Sequence, residues 1–249
     1  MIRSYGISEA GLVRRVNEDR IFLGRNFFVL ADGMGGYEGG QIASQSAVEA
    51  VRDFFEKEGD RHVTEETVRE AVLGANRAIL SRKMKSREFQ DMGTTLIVTA
   101  VSGGRLYWAH VGDSRLYVMK DGALTQITKD HSFVMTLLEE GKITKEEMRG
   151  HPRKNEITRA VGIRPSLDVD TGYLALDAPL LVLICSDGLS ALLDDEVIRA
   201  SLARCGNGED ALRDCAEELL REVYDAGATD NISAIFIQFT PDAINGAEP

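Results

Sequence analysis

Three apolar runs in this sequence end beside an aspartate, and a fourth begins just after one. Phe27–Ala31 (FFVLA) leads straight into Asp32, and Arg105–Val111 (RLYWAHV) leads into Gly112 and Asp113. Leu180–Cys185 (LLVLIC) leads into Ser186 and Asp187, while Asp230 and Asn231 precede Ile232–Phe239 (ISAIFIQF). A carboxylate at the end of a buried strand is unfavourable unless something positive meets it. Taken singly, an Asp-Gly after a strand is usually only a turn. The recurrence argues instead that the strand ends converge and share a cation. Carboxylates, carbonyls and waters together suit hard ions such as Mg²⁺ or Mn²⁺.

The runs themselves are short, rich in β-branched and aromatic residues, and bounded by Gly, Asp or Asn, as buried strands are. Residues 94–101 and 115–119 read the same way. Gly103-Gly104 and Asp121-Gly122 favour tight hairpins, which implies antiparallel pairing. Helical periodicity appears over 41–55, and over 65–80 behind Thr64 as N-cap. It recurs from Asp194 or Asp195 to near Gly206, and over 209–226 with Gly227 as a stop. Strands and helices come in blocks rather than strict alternation, which disfavours a doubly wound parallel fold. The expected architecture is of the α+β class: a four-layer α-β-β-α sandwich with two central antiparallel sheets.

Length and composition bound the rest. The 249 residues, 43% apolar and 28% charged, allow one large domain with an ample core. We expect a single domain over 1–240 and a disordered polar tail over 241–249. The net charge of −11 disfavours nucleic acid and anionic membrane, since the longest basic cluster is only Arg82, Lys83, Lys85 and Arg87. No apolar run approaches the roughly 18 residues of a membrane span. The N-terminus lacks a signal-peptide stretch, so a cytoplasmic protein is expected. Cys185, Cys205 and Cys215, odd in number and sparse, read as reduced thiols. Cys185, inside an apolar strand, reads as a packing residue. The DGMGGYEGG stretch lacks the Lys-Ser/Thr ending of a P-loop, and no EF-hand pattern occurs.

Upstream lies RRVNEDR, with Arg14, Arg15, Glu18 and Asp19. An arginine near a metal cluster would clamp phosphate, because its planar fork matches phosphate oxygens. With this block the ordered set becomes specific: RRVNEDR, LADGMGGYEGG, MGTTLIV, AHVGDSRLY, LTQITKDHS, HPRKNEITRAVG, LICSDGLS and TDNISAIF. The chain resembles the metal-dependent protein Ser/Thr phosphatases of the PPM (PP2C-type) family in their bacterial form, from about Gly6 to Phe239.

The resemblance implies the same sandwich and a site of two Mn²⁺ or Mg²⁺ ions. Asp32 would bridge them, the Gly33 carbonyl would ligate one, and Asp187 and Asp230 would complete the other. Asp113 with Asp187 would hold a third, weaker ion. Glu18 and Asp19 would hold metal-bound waters, and Asn231 would orient that shell. Arg14, rather than Arg15, matches the phosphate-binding arginine. The implied reaction is in-line attack on phosphoserine or phosphothreonine by a water or hydroxide bridging the two ions. The implied partners are phosphoproteins, including a protein Ser/Thr kinase. Met34 stands where animal relatives carry a histidine proposed as general acid. Of the histidines, His110 reads as a satisfied core residue, while His62, His131 and His151 have no placement legible in sequence. Residues 132–155, with a Thr144–Glu147 capping box, would form a flap beside the site.

Overall fold

The computed structural model describes residues 1–35, 38–59, 62–85, 89–206 and 210–240. In chain order it contains β1 (Ile2–Glu9), β2 (Arg20–Leu23), β3 (Phe27–Ala31), β4 (Gly33–Met34), α1 (Gly39–Glu58) and α2 (Glu65–Lys85). There follow β5 (Gly93–Thr94), β6 (Leu96–Ser102), β7 (Arg105–Val111), β8 (Arg115–Lys120), β9 (Ala123–Gln126), α3 (Phe133–Glu139) and α4 (Lys145–Gly150). The chain continues through β10 (Asp170–Ala175), β11 (Leu180–Cys185), α5 (Asp187–Ser190), α6 (Asp195–Ala203), α7 (Ala211–Asp225) and β12 (Ile232–Phe239).

Alternation along the strands decides the layers. In β3, Phe27, Val29 and Ala31 face a core shared with α1 and α2, while Phe28 and Leu30 face a second core. In β12, Ile235, Ile237 and Phe239 join that second core, and Ile232, Ala234 and Phe236 face a third, shared with α6 and α7. Side chains of period two cannot serve one core only, so each central strand must be covered on both faces. Three cores in succession make four layers, the expected α-β-β-α sandwich. One sheet runs β1-β12-β11-β8-β9 and the other β10-β7-β6-β3-β2, with every pairing antiparallel. The hairpin residues Gly103, Gly104, Asp121 and Gly122 all have left-handed φ, from 51 to 81°, as tight two-residue turns require.

The central strands stand as expected, except that the 94–101 run divides, Gly93–Thr94 pairing with β4 while β6 begins at Leu96; the edge strands β1, β2, β9 and β10 carry no clear sequence signal. Their residues are mostly half-buried, which dilutes the apolar pattern. The Thr64 hydroxyl accepts the Thr67 N–H at 3.3 Å ahead of α2. The Thr144–Glu147 capping box forms at α4. The last helix was expected from residue 209, which lies outside the described residues, as does the 241–249 tail.

The reading of three reduced cysteines is corrected. Cys205, just after α6, and Cys215, in α7, form a disulfide with Cα atoms 5.3 Å apart. The two come together only when these helices pack. Cys185 is free and buried, its thiol pushed up to about 12 chiefly by burial. No helix among the described residues is long and apolar enough to cross a membrane.

Candidate active site

The four strand-end aspartates converge at one end of the sandwich. Asp32 lies close enough to Asp19, Asp187, Asp113 and Asp230 to feel the charge of each. Asp32, Asp113 and Asp187 are half-buried, each keeping an edge toward solvent while protein surrounds the rest. Asp19 is fully buried.

Backbone bonds fix each acid. Asp32 N–H donates to Thr95 Oγ1 at 3.1 Å, and its carbonyl accepts the Thr95 N–H and the Thr94 hydroxyl, both at 2.8 Å. Thr95 Oγ1 also meets Ser114 Oγ at 2.8 Å, which ties the Asp32 turn to the Asp113 turn. Asp187 opens α5, and the preceding Ser186 donates its hydroxyl to Asp19 Oδ2 at 2.8 Å while accepting the Ser233 N–H at 3.0 Å. Gly33 and Gly188 follow two of the acids for one reason. A Cβ on Gly33 would strike the Gly40 carbonyl, and one on Gly188 would strike the Asn231 carbonyl.

Asn231 fastens the N-terminal loop to this floor. Its Oδ1 accepts the Glu18 N–H at 2.9 Å, and its Nδ2 donates to the carbonyls of Val16 at 2.9 Å and Ala10 at 3.2 Å. The loop thereby carries Arg14 to the edge of the acids, where its guanidinium meets Asp230 Oδ2 at 2.7 Å. That bond holds the Arg14 pKa above its ordinary value. Arg15 makes no such contact among the described residues.

Electrostatically the cluster opposes itself. Burial, then the charges of Asp19, Asp187, Asp113 and Asp230, pushes the Asp32 carboxyl well above the usual range. Asp113 is pushed well up by burial and by Asp187, and Asp187 is raised by burial and by Asp230. Burial lifts Asp19 to about 6, although serine hydrogen bonds oppose the shift, and its Oδ1 has no partner among the described residues. Glu18 is raised by burial, against the pull of Arg14. Protonation or a cation relieves such repulsion.

A cavity of about 390 Å³ opens beside Asp113 and Asp187. Met135 and Leu138 of α3 and Met148 and Arg149 of α4 line it together with those two acids. Beneath it, Arg115 grips Asp130 through Nε and Nη2 at 2.7 to 3.1 Å and donates from Nη1 to Tyr117 Oη at 2.9 Å.

His110 corrects one expectation. It is fully buried, yet neither ring nitrogen makes a well-formed hydrogen bond among the described residues; burial drives its pKa down to about 3, against a small upward pull from the Ser114 backbone. His131, its ring tilted by 37° to that of His110 with centroids 4.7 Å apart, is fully engaged. Its Nδ1 accepts the Gly112 N–H at 3.1 Å, its Nε2 faces Asp170 Oδ2 at 3.1 Å, and its own N–H binds the Gly112 carbonyl at 2.7 Å. The ligand atoms of His110, His131 and Asp170 lie within 4.8 Å of one another. The Arg159 guanidinium already sits 2.9 Å from Asp170 and 3.1 Å from His131, however, and fills that position with a fixed positive charge. Sequence reasoning missed Thr94, Thr95, Ser186 and His131 as supports. The MGTT, CSDG and KDHS blocks were their signal.

A profile of the Protein phosphatase 2C family matches residues 15–223. The serine/threonine protein phosphatase PstP of Mycobacterium tuberculosis is 37% identical over 240 residues, which cover 94% of this chain and 44% of PstP. The chain therefore spans about half the length of that relative. The serine/threonine phosphatase stp of Listeria welshimeri is 31% identical, with 93% of each protein covered. The crystal structure of the PstP catalytic domain in complex with two manganese ions superposes with a TM-score of 0.86 at 34% identity, covering 96% of this chain and 98% of that one. On the family profile and on this near-complete likeness, the chain belongs to the protein phosphatase 2C family.

Proposed function

We propose that this chain is a metal-dependent protein phosphatase that hydrolyses phosphoserine and phosphothreonine. The observation that carries the reading is the convergence of Asp32, Asp113, Asp187 and Asp230 on one self-repelling cluster, with Arg14 at its edge. The donor set fits a hard divalent cation: it is all oxygen, and one buried carboxylate oxygen, Asp19 Oδ1, has no partner among the described residues. On this reading Asp32, the Gly33 carbonyl, Asp187 and Asp230 hold two Mn²⁺ or Mg²⁺ ions, and Asp113 with Asp187 offers a third position. Bound there, such ions supply Lewis acidity toward phosphoryl oxygens and a water acidified enough to attack near neutral pH.

The chain's own residues do the rest. Arg14, half-exposed on a loop anchored by Asn231, presents its fork to the phosphoryl oxygens. Glu18 and Asp19 would accept hydrogen bonds from water held by such ions, and Ser186 keeps the Asp19 carboxylate oriented through its hydroxyl. His131 supplies no proton to the leaving oxygen, because both of its ring nitrogens are engaged. Met34 supplies none either. The substrates are phosphoproteins, among them those of a protein Ser/Thr kinase whose action the enzyme reverses.

Hydrolysis of p-nitrophenyl phosphate in Mn²⁺, in Mg²⁺ and in excess EDTA tests the reading. Metal-dependent turnover that disappears in Asp187→Asn supports it. A folded protein with no turnover in either ion overturns it.

A further inference from the structure

The loop that carries Arg14 presents three large apolar side chains to solvent. Leu12 and Val13 are each 65% exposed and Val16 is 50% exposed. Main-chain bonds hold this loop in place: Leu12 N–H to the Ala228 carbonyl at 2.8 Å, and Asn231 to the carbonyls of Ala10 and Val16. Its shape therefore does not depend on those three side chains, and no core receives them. Scattered exposed apolar residues are ordinary, but three within five residues of one anchored loop, beside a charged site, are candidates for a contact surface. Here Arg14 and Arg15 stand between Val13 and Val16, and Arg14 reaches the acid cluster.

We propose that Leu12, Val13 and Val16 form a docking ledge for an apolar side chain lying one or two residues from the phosphorylated serine or threonine of a phosphoprotein. The inference rests on the phosphatase reading above and adds a sequence preference to it. Continuity with the site selects this occupant. Neighbouring Cα atoms are about 3.8 Å apart, and an extended peptide advances about 3.3 Å per residue. A peptide whose phosphate meets Arg14 thus sets its flanking residues within reach of the neighbours of Arg14. The anchored backbone also offers a preformed surface, so little ordering opposes the contact.

Two phosphothreonine peptides test the ledge, identical except for leucine or serine at the positions flanking the phosphothreonine. Steady-state kinetics with each, and with p-nitrophenyl phosphate, are compared for the parent protein, for Leu12→Ser/Val13→Ser and for Met84→Ser. Met84 is 83% exposed at the far end of α2 and serves as control. The expected result is a roughly tenfold fall in kcat/KM for the leucine peptide in the double variant, the effect of one lost apolar contact. The serine peptide, p-nitrophenyl phosphate and the control variant should be unchanged. An equal fall for both peptides, or no fall for either, overturns the ledge while leaving the phosphatase reading intact. Unchanged peptide kinetics with loss of a concentration-dependent dimer would assign the surface to a second copy of the chain, and so overturn the proposal. Absence of p-nitrophenyl phosphate hydrolysis in the parent defeats the phosphatase reading itself, and the ledge with it.

Discussion

Two groups of buried charge sit side by side in this molecule and obey opposite rules. Around Arg115, every charge is matched: the guanidinium takes both oxygens of Asp130 and the Tyr117 hydroxyl, which in turn donates to Asp195 at 3.0 Å. Burial disfavours the Arg115 cation, but the Asp130 pair outweighs it and holds its pKa above the ordinary value. Around Asp32, acids face acids, and Arg14 at the rim is the cation in direct contact. The first group is complete without any ligand. The second is electrostatically frustrated as folded, as the proposed cation site requires, whereas the first only supports the fold.

The comparison can be broken most severely at Asp187. Asp187→Asn removes a charge from the frustrated cluster while keeping the shape. Turnover should fall well beyond the roughly 10–100-fold that follows loss of an outer-shell partner, with the thermal midpoint of the metal-free protein unchanged or raised. Wild-type turnover in this variant would remove Asp187 from the site. The matched group should behave in the reverse sense. Arg115→Ala strands the Asp130 carboxylate and should cost about 3–5 kcal/mol in urea unfolding. A loss near zero would show that water solvates Asp130 as well as Arg115 does.

A smaller effect separates the two groups by pH. The folded pKa of Asp19 is raised, from 3.8 to about 6. A carboxyl raised on folding stabilises fully below its unfolded value, and that contribution is lost as pH climbs through the folded one. Without divalent ions, the stability of the parent relative to Asp19→Asn should therefore fall between pH 4 and pH 6, by about 2–3 kcal/mol. Saturating Mn²⁺ should reverse the trend near neutral pH. A flat difference across that window would mean that Asp19 is ionised throughout. Smallest is Arg14→Ala, expected to raise KM for p-nitrophenyl phosphate about tenfold with a lesser change in kcat. A loss confined to kcat would assign Arg14 to the transition state alone.

Legibility in the sequence followed burial. β3, β7, β11 and β12 were readable at their full lengths because both faces are covered and nearly every residue is apolar. β1 and β10 escaped because an edge strand exposes part of its pattern. The acids were readable because aspartate at the end of an apolar run is conspicuous. Their supports were not, since Thr95, Ser186 and His131 look like ordinary polar residues until a partner distant in sequence meets them. His110 shows the same limit, because sequence gives a residue's setting but not its hydrogen bonds.

By itself, then, the sequence determined the class of architecture and the identity of the acids, because period-two patterning and carboxylate position are local properties of the chain. Tertiary structure decided three further matters: that Cys205 meets Cys215, that Arg115 neutralises Asp130, and that Leu12, Val13 and Val16 stand exposed around Arg14. Each depends on contacts or exposure set by the whole fold, and no local pattern records which side chains the other elements leave uncovered.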